Sequence, residues 1–412
     1  MSFLIFLRGN AKWLAAGVLL TFLSSFGQTF YISVYAGAIR DEFGLSHGAW
    51  GAVYTLATTL SAVAMIWAGT LTDRFRVRTL GTGVLVALAM ACLAMALVPV
   101  WWMLVPVLFA LRFTGQGMAA HTAMVAMARW FVATRGRALA IAGMGFALAE
   151  AVLPLGFVAL LEHFPWRWLW VVSAVVILLA TPFLAMMLRQ ERTPQSMAAE
   201  NPVAGMGGRH WTRVQALRHP LFWLVLPVFT GPSLFVTALF FQQVHLAEMK
   251  GWSHIQLVAL FPLYPVAGVL ASVLLGWAVD RFGTARLIPV YTLPVAMGFV
   301  VLAQAEGLWA GALAMILIGA TSGGQSTVPS AFLAQFYGTQ NIGAIKSALT
   351  SAMVFGTALG PGISGILIDL GLNFPDQMYG IAVWVTFSAA LAGWGLARTK
   401  SAMAAEIDVI RP

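Results

Sequence analysis

Two short loops decide the fold of this chain: Gly69-Thr70-Leu71-Thr72-Asp73-Arg74-Phe75-Arg76-Val77-Arg78 and Gly276-Trp277-Ala278-Val279-Asp280-Arg281-Phe282-Gly283. Each places an Asp-Arg pair four residues after a glycine, and the two aspartates are 207 residues apart. The same offset relates three further pairs: Gly117 with Gly324, Gly136 with Gly343, and Pro154 with Pro361. Glycine is frequent here, so one match is weak, but four matches at one offset indicate two similar halves.

Each loop lies between long apolar runs. A hydrocarbon layer about 30 Å thick needs roughly 20 apolar residues per helix, and twelve runs meet that requirement. In the first half they cover approximately 13–38, 49–71, 79–98, 101–131, 136–161 and 167–188. In the second half they cover approximately 220–246, 254–278, 286–305, 308–335, 343–368 and 378–397. We number these runs as spans 1 to 12.

The sequence therefore predicts an all-α membrane protein with twelve transmembrane helices in two pseudo-symmetric six-helix bundles. The N-terminal bundle covers 1–188 and the C-terminal bundle 219–412. Residues 189–218 contain charges, Pro194 and a Gly-Gly pair, which lipid does not accommodate. We predict that this stretch is a cytoplasmic linker.

Composition excludes a soluble class of protein. The chain is 60% apolar and 9% charged, and its mean hydropathy is +0.86. Cys92 is its one cysteine, which excludes an intramolecular disulfide framework and a cysteine-cluster metal site. The first apolar run is about a bilayer long and lacks a small-residue cleavage site, so we interpret it as a retained span rather than a secretory signal.

The basic residues set the orientation. Of the 23 Lys and Arg, all fall on one side of the predicted bilayer except Arg40, Arg167 and Lys250, which are outside, and Arg112, which is within a span. Basic loops stay in the cytoplasm, so both termini are predicted to be cytoplasmic. This asymmetry explains the net charge of +9 without a nucleic-acid partner. The short loops favour a bacterial inner membrane.

A G-x-x-x-D-R-x-G-type loop after spans 2 and 8 of a six-plus-six chain resembles the major facilitator superfamily, over essentially the whole chain. The resemblance implies two bundles that rock about a central site, opening alternately inward and outward, in a protein that acts as a monomer. The sequence departs from the family pattern at Arg76, where glycine is usual, whereas Gly283 keeps it. Arg76 therefore predicts a less tight turn in the first loop than in the second, and it leaves the family assignment unchanged.

The charged pairs of the two loops are candidates for conformational gating. Asp73 with Arg74, and Asp280 with Arg281, are predicted at cytoplasmic helix ends. There they are placed to form charge-assisted bonds that lock one conformer and break when the bundles rock. The alternative is that they only set the topology and form a turn.

Ionisable residues inside spans point to function because lipid penalises them. Arg112 of span 4 and Glu150 of span 5 both fall near the midplane, and an ion pair between them is the simplest way to keep both charged. Arg112 is predicted to bind an anionic substrate and Glu150 to take up a proton when the pair opens; the alternative is a static pair that fixes packing. Gln116 follows Arg112 by one helical turn and is predicted to share the substrate.

Polar residues in other spans are the remaining substrate-binding candidates. Ser24, Gln28, Tyr31 and Tyr35 form one stripe of span 1, which should face a cavity. In the superfamily, spans 1, 4, 7 and 10 line the cavity, which adds Gln325, and Tyr264 of span 8 is a further aromatic candidate. Lys346 of span 11 is either a second substrate-binding cation or a side chain that extends to the headgroups.

Two stretches resemble the monocarboxylate and oxalate–formate branches of the superfamily. They are Phe26-Gly27-Gln28 running on to Arg40-Asp41-Glu42-Phe43-Gly44-Leu45-Ser46, and Trp130-Phe131 followed by Arg135-Gly136-Arg137-Ala138. This resemblance implies a small organic anion, a monocarboxylate, moved by proton symport or anion exchange. Those relatives often carry a basic residue in span 8, and here none precedes Arg281. That absence disfavours a dicarboxylate.

Two other classes of protein fit the sequence less well. A proton-coupled drug or metabolite efflux antiporter would also use Glu150 as proton carrier, but a cationic drug would have to avoid Arg112. An enzyme would need a nucleophile–base pair or a metal cluster, and the sequence has no G-x-S-x-G, H-E-x-x-H or G-K-[ST] motif. We therefore predict no enzymatic activity, no cofactor and no metal. The expected partners are an anionic small molecule, protons and the lipid bilayer.

Overall fold

The computed structural model describes residues 3–131, 134–190, 204–325 and 327–410. Within these ranges ten single helices are long and apolar enough to cross a bilayer, a bent pair makes an eleventh span, and a shorter apolar helix occupies the ninth position. In the first half the spans are Phe6–Gly27 with Thr29–Phe43, His47–Ala68, Val77–Ala96, Trp101–Trp130, Gly136–Leu161 and Trp166–Met187. In the second half they are Pro220–Phe241, His254–Phe282, Leu293–Gln304, Leu308–Tyr337, Ile342–Asp369 and Phe374–Thr399.

Span 1 is broken, whereas the sequence analysis predicted one continuous run over 13–38. Its two helices meet at Gln28 with a bend of 47°. Gln28 is extended, with φ −88° and ψ 156°, so it cannot continue the helix on either side. Polar backbone groups released at such a break must find partners within the protein, because lipid offers none.

Spans 4 and 10 are irregular at matching positions. Residues Arg112–Ala119 of span 4 form a π-helix, a form that is rare and is found frequently at functional sites. In span 10 the helical turn tightens after Ser322: the Gly324 and Gln325 amides donate to the Thr321 and Ser322 carbonyl oxygens, three residues back, at 3.0 and 3.2 Å. The offset of 207 residues that relates the two loops maps the π-helix onto 319–326, which contains this tightened turn. The internal repeat therefore extends to backbone irregularities.

Span 9 is shorter than the predicted run of 286–305. Its regular helix covers Leu293–Gln304, and the short helix Thr284–Leu287 is separate from it. Pro289 and Pro294 explain the difference, because proline lacks the amide donor that a continuous helix needs and clashes with the preceding turn. Pro294 is tolerated in the first turn of the regular helix.

The chain forms two compact units. The first contains Met1–Ala199, Phe240–His245 and Pro361–Asp369, so the C-terminal ends of spans 7 and 11 pack with the first six spans. The second contains Glu200–Leu239, Leu246–Gly360 and Leu370–Pro412. Of the predicted linker 189–218, residues 191–203 lie outside the described part. Met206 and Ala216 are buried in the apolar core of the second unit.

Candidate functional site

Two glycines bring the backbones of spans 1 and 4 into contact in the first unit. A Cβ atom on Gly27 would lie 2.1 Å from the Leu111 carbonyl oxygen, and one on Gly115 would lie 2.7 Å from the Gly27 Cα. Real Cβ atoms do not approach this closely, so only glycine fits at both positions. The contact joins the break of span 1 to the π-helix of span 4 and places Arg112 beside the break.

Arg112 is fully buried, exposing 1% of its surface. Its Nη1 donates to the Gly27 carbonyl oxygen at 3.2 Å and to the Thr29 hydroxyl at 3.3 Å. The guanidinium carbon lies 5.3 Å from the centre of the Tyr54 ring, within range of a cation–π contact. Thr29 and Tyr54 are joined by a 2.5 Å hydrogen bond between their hydroxyls. One nitrogen of the guanidinium is thus anchored.

The opposite edge of the same guanidinium is unsatisfied. Nε and Nη2 of Arg112 are buried, and neither has a hydrogen-bond partner in the described part of the chain. Nε–H and Nη2–H point in parallel and form the edge that grips a carboxylate with two hydrogen bonds. A buried donor without a partner is costly, so this edge is the strongest indication of a ligand in the first unit.

The predicted ion pair between Arg112 and Glu150 is wrong for this structure. The one ion pair whose two side chains are both described joins Arg167 to Glu42 at 2.6 Å. The carbonyl group at the break of span 1 supplies the acceptor that the sequence analysis sought in Glu150. Glu150 is half-buried in span 5, and no described residue bonds it.

The other predicted substrate residues of the first unit fall into two groups. Gln28 lies at the break of span 1 and Gln116 in the π-helix, and both are half-buried. Tyr31 and Tyr35 are fully buried, bonded to each other at 2.8 Å and, through Tyr31, to Ser173 at 2.5 Å. In this structure the two tyrosines join spans 1 and 6 instead of facing a cavity. The substrate-binding role of all four stays a prediction.

Residues 240–243 close over the Arg112 site, which sequence reasoning did not foresee. The Phe241 ring lies 4.7 Å from the Tyr54 ring and stacks on the Trp50 ring at 5.7 Å. The Ser33 hydroxyl donates to the Phe240 carbonyl oxygen at 2.7 Å, and the Gln243 amide donates to the Ser33 hydroxyl at 2.8 Å. The Gln242-Gln243 pair after span 7 was visible in the sequence as a polar feature. Its bonding partner Ser33 could not be identified, because it lies 210 residues away in the chain.

Residues 361–369 are held against span 2 by hydrogen bonds and close packing. One Asp369 carboxylate oxygen accepts from the Ser46 hydroxyl at 2.6 Å and from the Gly48 amide at 2.8 Å. The carboxylate therefore caps the N-terminal end of span 2, where a negative charge is favoured. A Cβ atom on Gly51 would lie 2.6 Å from the Pro361 carbonyl oxygen, so the helices touch here as well.

A histidine pair lies beside this contact. The His47 and His245 rings are 4.6 Å apart and meet edge to face. Beyond the end of span 7, burial, together with His47 and Arg40, lowers the pKa of His245 to about 4. His245 is consequently neutral at physiological pH.

The structure describes three of the four side chains that were predicted to gate the conformational change. The side chain of Asp73 lies outside the described part, and Arg74, Asp280 and Arg281 are exposed. Arg281 contacts the Trp277 ring at 5.7 Å. No ion pair involving Arg74, Asp280 or Arg281 occurs between side chains that the structure describes. Their role as locks stays a prediction.

Two hydrogen bonds connect the loops to neighbouring spans. Arg129 Nη1, at the end of span 4, donates to the Thr72 carbonyl oxygen at 2.7 Å. In the second unit the Thr284 hydroxyl donates to the Gln335 side-chain oxygen at 2.6 Å. Each loop is thus tied to the C-terminal end of the fourth span of its own half. Sequence reasoning had counted Arg129 only as a topology charge.

The departure at Arg76 changes the turn, as its residue type requires. Gly283 has φ +75°, which L-residues rarely adopt, whereas Arg76 is extended with φ −63° and ψ 143°. The two loops therefore share a sequence pattern but leave their helices through different backbone conformations.

The second unit contains a cavity of about 300 Å³ beside the tightened turn of span 10. Gln325 lines it, together with Lys346 of span 11 and Ser233 of span 7. Tyr264 is not among the residues that line this cavity; it is buried, and its carbonyl group packs against Gly319. Thr350 and Met353 also line the cavity, and the sequence analysis did not select them.

Comparisons with known proteins agree with this architecture. A family model described as Major Facilitator Superfamily matches residues 17–361. The chain is 26% identical over 409 residues to the 4-hydroxybenzoate transporter PcaK of Pseudomonas aeruginosa, covering 90% of each protein. It is 27% identical to monocarboxylate transporter 13 of Bos taurus, covering 63% of this chain and 60% of that one.

The fold is also that of solved transporters. A bacterial homolog of the human lysosomal transporter Spinster, crystallised inward-facing and unoccupied, superimposes with a TM-score of 0.69 at 16% identity. The superposition covers 95% of this chain and 97% of that one. These relatives and this fold are those of transporters and not of enzymes.

Proposed function

We propose that this chain, which belongs to the Major Facilitator Superfamily, moves a small organic monocarboxylate across a bacterial inner membrane by alternating access. That it is a multi-pass secondary transporter of this type follows from the family. The substrate, the coupling to protons and the cytoplasmic location of both termini are the parts we propose.

One observation carries the substrate class: the unpartnered Nε–Nη2 edge of Arg112. Nη1 is occupied by the protein, which orients the guanidinium and leaves free the edge that matches the two oxygens of a carboxylate. Membrane interiors penalise an unpaired charge, and Arg112 is fully buried there. An anion from solution supplies both the missing charge and the missing acceptors.

The relatives support an organic acid. The two sequence relatives are a 4-hydroxybenzoate transporter and a monocarboxylate transporter, and each of these substrates has one carboxylate. One guanidinium edge suits a single carboxylate. The rim of the site is aromatic, with Tyr54 and Phe241 4.7 Å apart, which suits an apolar or aromatic body on the acid.

Glu150 is the group we propose for proton coupling. It lies in span 5, the neighbour of span 4 in the chain, and it lacks a bonding partner among the described residues. A carboxyl group in a membrane interior favours its neutral form, so it gains a proton readily when the surroundings are dry. Proton symport would use Glu150 together with Arg112, whereas anion exchange would use Arg112 alone, and the dependence of uptake on a proton gradient distinguishes the two.

The test is uptake by proteoliposomes of labelled mono- and dicarboxylates, with and without an inward proton gradient. Arg112→Lys keeps the charge but loses the two-bond geometry, so we expect the KM for a monocarboxylate to rise about tenfold to 100-fold. Arg112→Gln should abolish saturable uptake. Arg189→Gln, which removes an exposed charge, is the control and should behave as wild type.

Uptake of an acid that does not depend on Arg112 would refute the site. Failure of the wild type to take up any acid would refute the substrate class and favour proton-coupled efflux of drugs or metabolites, which lipophilic dyes would then test. The buried positive charge disfavours that alternative for cationic drugs.

A further inference from the structure

Two hydroxyl groups beside Arg112 hold one proton more than their bonds use. Arg112 Nη1 donates to the Thr29 oxygen at 3.3 Å, and the Thr29 and Tyr54 oxygens are 2.5 Å apart. Each hydroxyl has one proton to donate and two lone pairs to accept with. One of the two protons forms the bond between Thr29 and Tyr54, and no described residue accepts the other. The pair therefore keeps one unused donor beside the guanidinium.

The arginine and the acidity of the two hydroxyls indicate which of them keeps that donor. The Thr29 oxygen accepts from a charged N–H, which polarises its own O–H and makes it a better donor. The favoured direction then runs from Arg112 to Thr29 and from Thr29 to Tyr54. The reverse direction would use the more acidic phenol proton on a neutral hydroxyl. The free donor at the end of this row is the Tyr54 O–H.

Tyr54 lies close to the unsatisfied edge of Arg112. The centre of its ring is 5.3 Å from the guanidinium carbon, and the side chain is fully buried. Nε and Nη2 of Arg112 are also buried and have no partner in the described part of the chain. The Phe241 ring packs 4.7 Å from the Tyr54 ring and limits its movement. Unused donors of two residues, from spans 2 and 4, are thus enclosed together.

We infer that Tyr54 is a direct ligand of the substrate, and that its O–H donates to the same carboxylate that Nε–H and Nη2–H of Arg112 bind. A carboxylate has two oxygens with about four lone-pair sites, so it can accept from all three donors. The inference rests on the proposed function and deepens it, because it specifies the chemistry of the site. A site built of donors favours a carboxylate over its amide, whose N–H groups would face other donors.

The test begins with Tyr54→Phe, which removes the hydroxyl and keeps the ring against Arg112 and Phe241. Isothermal titration of the purified protein measures the Kd of benzoate. Loss of a hydrogen bond to a charged group should raise this Kd roughly tenfold to 100-fold. Tyr379→Phe makes the same chemical change at an exposed position of span 12 and should leave the Kd unchanged. A wild-type Kd in Tyr54→Phe would overturn the inference.

A second background separates direct contact from positioning. If Tyr54 only held Arg112 in place, it would act through Thr29. Thr29→Val removes that link and leaves the Gly27 carbonyl oxygen as an acceptor for Nη1. If Tyr54 contacts the carboxylate, adding Tyr54→Phe to Thr29→Val should raise the Kd again, by about threefold to tenfold. A double variant that matches Thr29→Val would show positioning alone and would overturn the inference.

A modified tyrosine tests the same contact without loss of the hydroxyl, and it serves even where Tyr54→Phe does not fold. Tyr54→3-fluorotyrosine keeps the ring and its O–H, and the fluorine withdraws electrons and makes the O–H a stronger donor. Benzoate should therefore bind more tightly than to the wild type. Unchanged or weaker binding would contradict a bond from Tyr54 to the carboxylate.

The two proposals fail in different ways. If the wild type takes up benzoate in an Arg112-dependent manner but Tyr54→Phe binds it with the wild-type Kd, the inference is refuted and the proposed function stands. If the wild type takes up no acid, the proposed function is refuted. The Kd of benzoate then still decides the inference: weaker binding by Tyr54→Phe supports it, and equal or absent binding refutes it.

Discussion

The glycine contact between spans 1 and 4 predicts that Gly27→Ala damages the protein, although alanine is the better helix former. The new Cβ atom would lie 2.1 Å from the Leu111 carbonyl oxygen and 2.9 Å from the Gly115 Cα. Both are backbone atoms, which cannot rotate aside as a side chain can. The two backbones must separate by about 1 Å to restore ordinary contact, and such overpacking costs roughly 1–3 kcal/mol.

The separation also moves the binding site. Arg112 follows Leu111 directly, and its Nη1 is 3.2 Å from the Gly27 carbonyl oxygen. A displacement of about 1 Å at a positioned group costs roughly 100-fold in rate. Gly27→Ala should therefore lose both stability and carboxylate uptake, and the loss of uptake should be the larger effect at a temperature where the variant is folded.

Cys92 provides the assay for stability. It is the one cysteine of the chain and is fully buried, so a thiol-reactive fluorophore labels it only as the first unit unfolds. Gly156→Ala is the matched control, because its Cβ atom would meet nothing within 4 Å. The control should be neutral or stabilised by up to about 1 kcal/mol. If Gly27→Ala unfolds at the wild-type temperature and keeps wild-type uptake, the proposed packing is wrong.

Four further outcomes are expected. Asp369→Ala removes the carboxylate that caps span 2; because this side chain is exposed, the unfolding free energy should fall by only about 0.5–1 kcal/mol in the same thiol assay, whereas Asp41→Ala, exposed in the last turn of helix Ala36–Phe43, should not lower it. Gly283→Ala should cost about 1 kcal/mol in thermal unfolding, since its φ of +75° strains a side chain. Because the pKa of His245 is about 4 when folded and about 6.5 when unfolded, the unfolded chain binds the proton first. The unfolding free energy should then fall as the pH drops from about 6.5 to 4. Thermal melting of wild type and His245→Gln across this pH range measures it, and an equally steep loss of stability in His245→Gln would contradict the prediction. Glu150→Gln should keep saturable binding of the acid but lose its response to a proton gradient, and a retained response would remove Glu150 from the coupling.

The fold was predictable because lipid imposes simple rules. Twelve spans, their order and the internal repeat followed from apolar length and from an offset of 207 residues, and the predicted fold class and family are confirmed. The predicted boundaries were wrong where the backbone leaves a regular helix. Gln28 interrupts span 1 and two prolines shorten span 9, because local backbone geometry outweighs apolar composition at those points.

The sequence was sufficient to predict the central residue of the candidate site, but not the partners that this residue bonds. A lone arginine within span 4 is visible in the sequence and costly in lipid, which singles out Arg112. Its partner was predicted from burial cost alone, which cannot distinguish a carboxylate on span 5 from a carbonyl group at a broken helix. Glu150 was therefore the predicted partner, whereas in the structure Arg112 donates to Gly27 and Thr29.

The sequence by itself determined that this chain crosses a membrane many times, that its halves repeat, and that Arg112 must be satisfied by something. These properties depend on hydrophobic length, charge and residue spacing along the chain. Only the tertiary structure decided which edge of the guanidinium is free, which glycines touch, and that residues 240–243 and 361–369 pack with the first half. Hydrogen bonds and steric contacts depend on fractions of an ångström between residues far apart in the chain, and spacing along a sequence does not encode such distances directly.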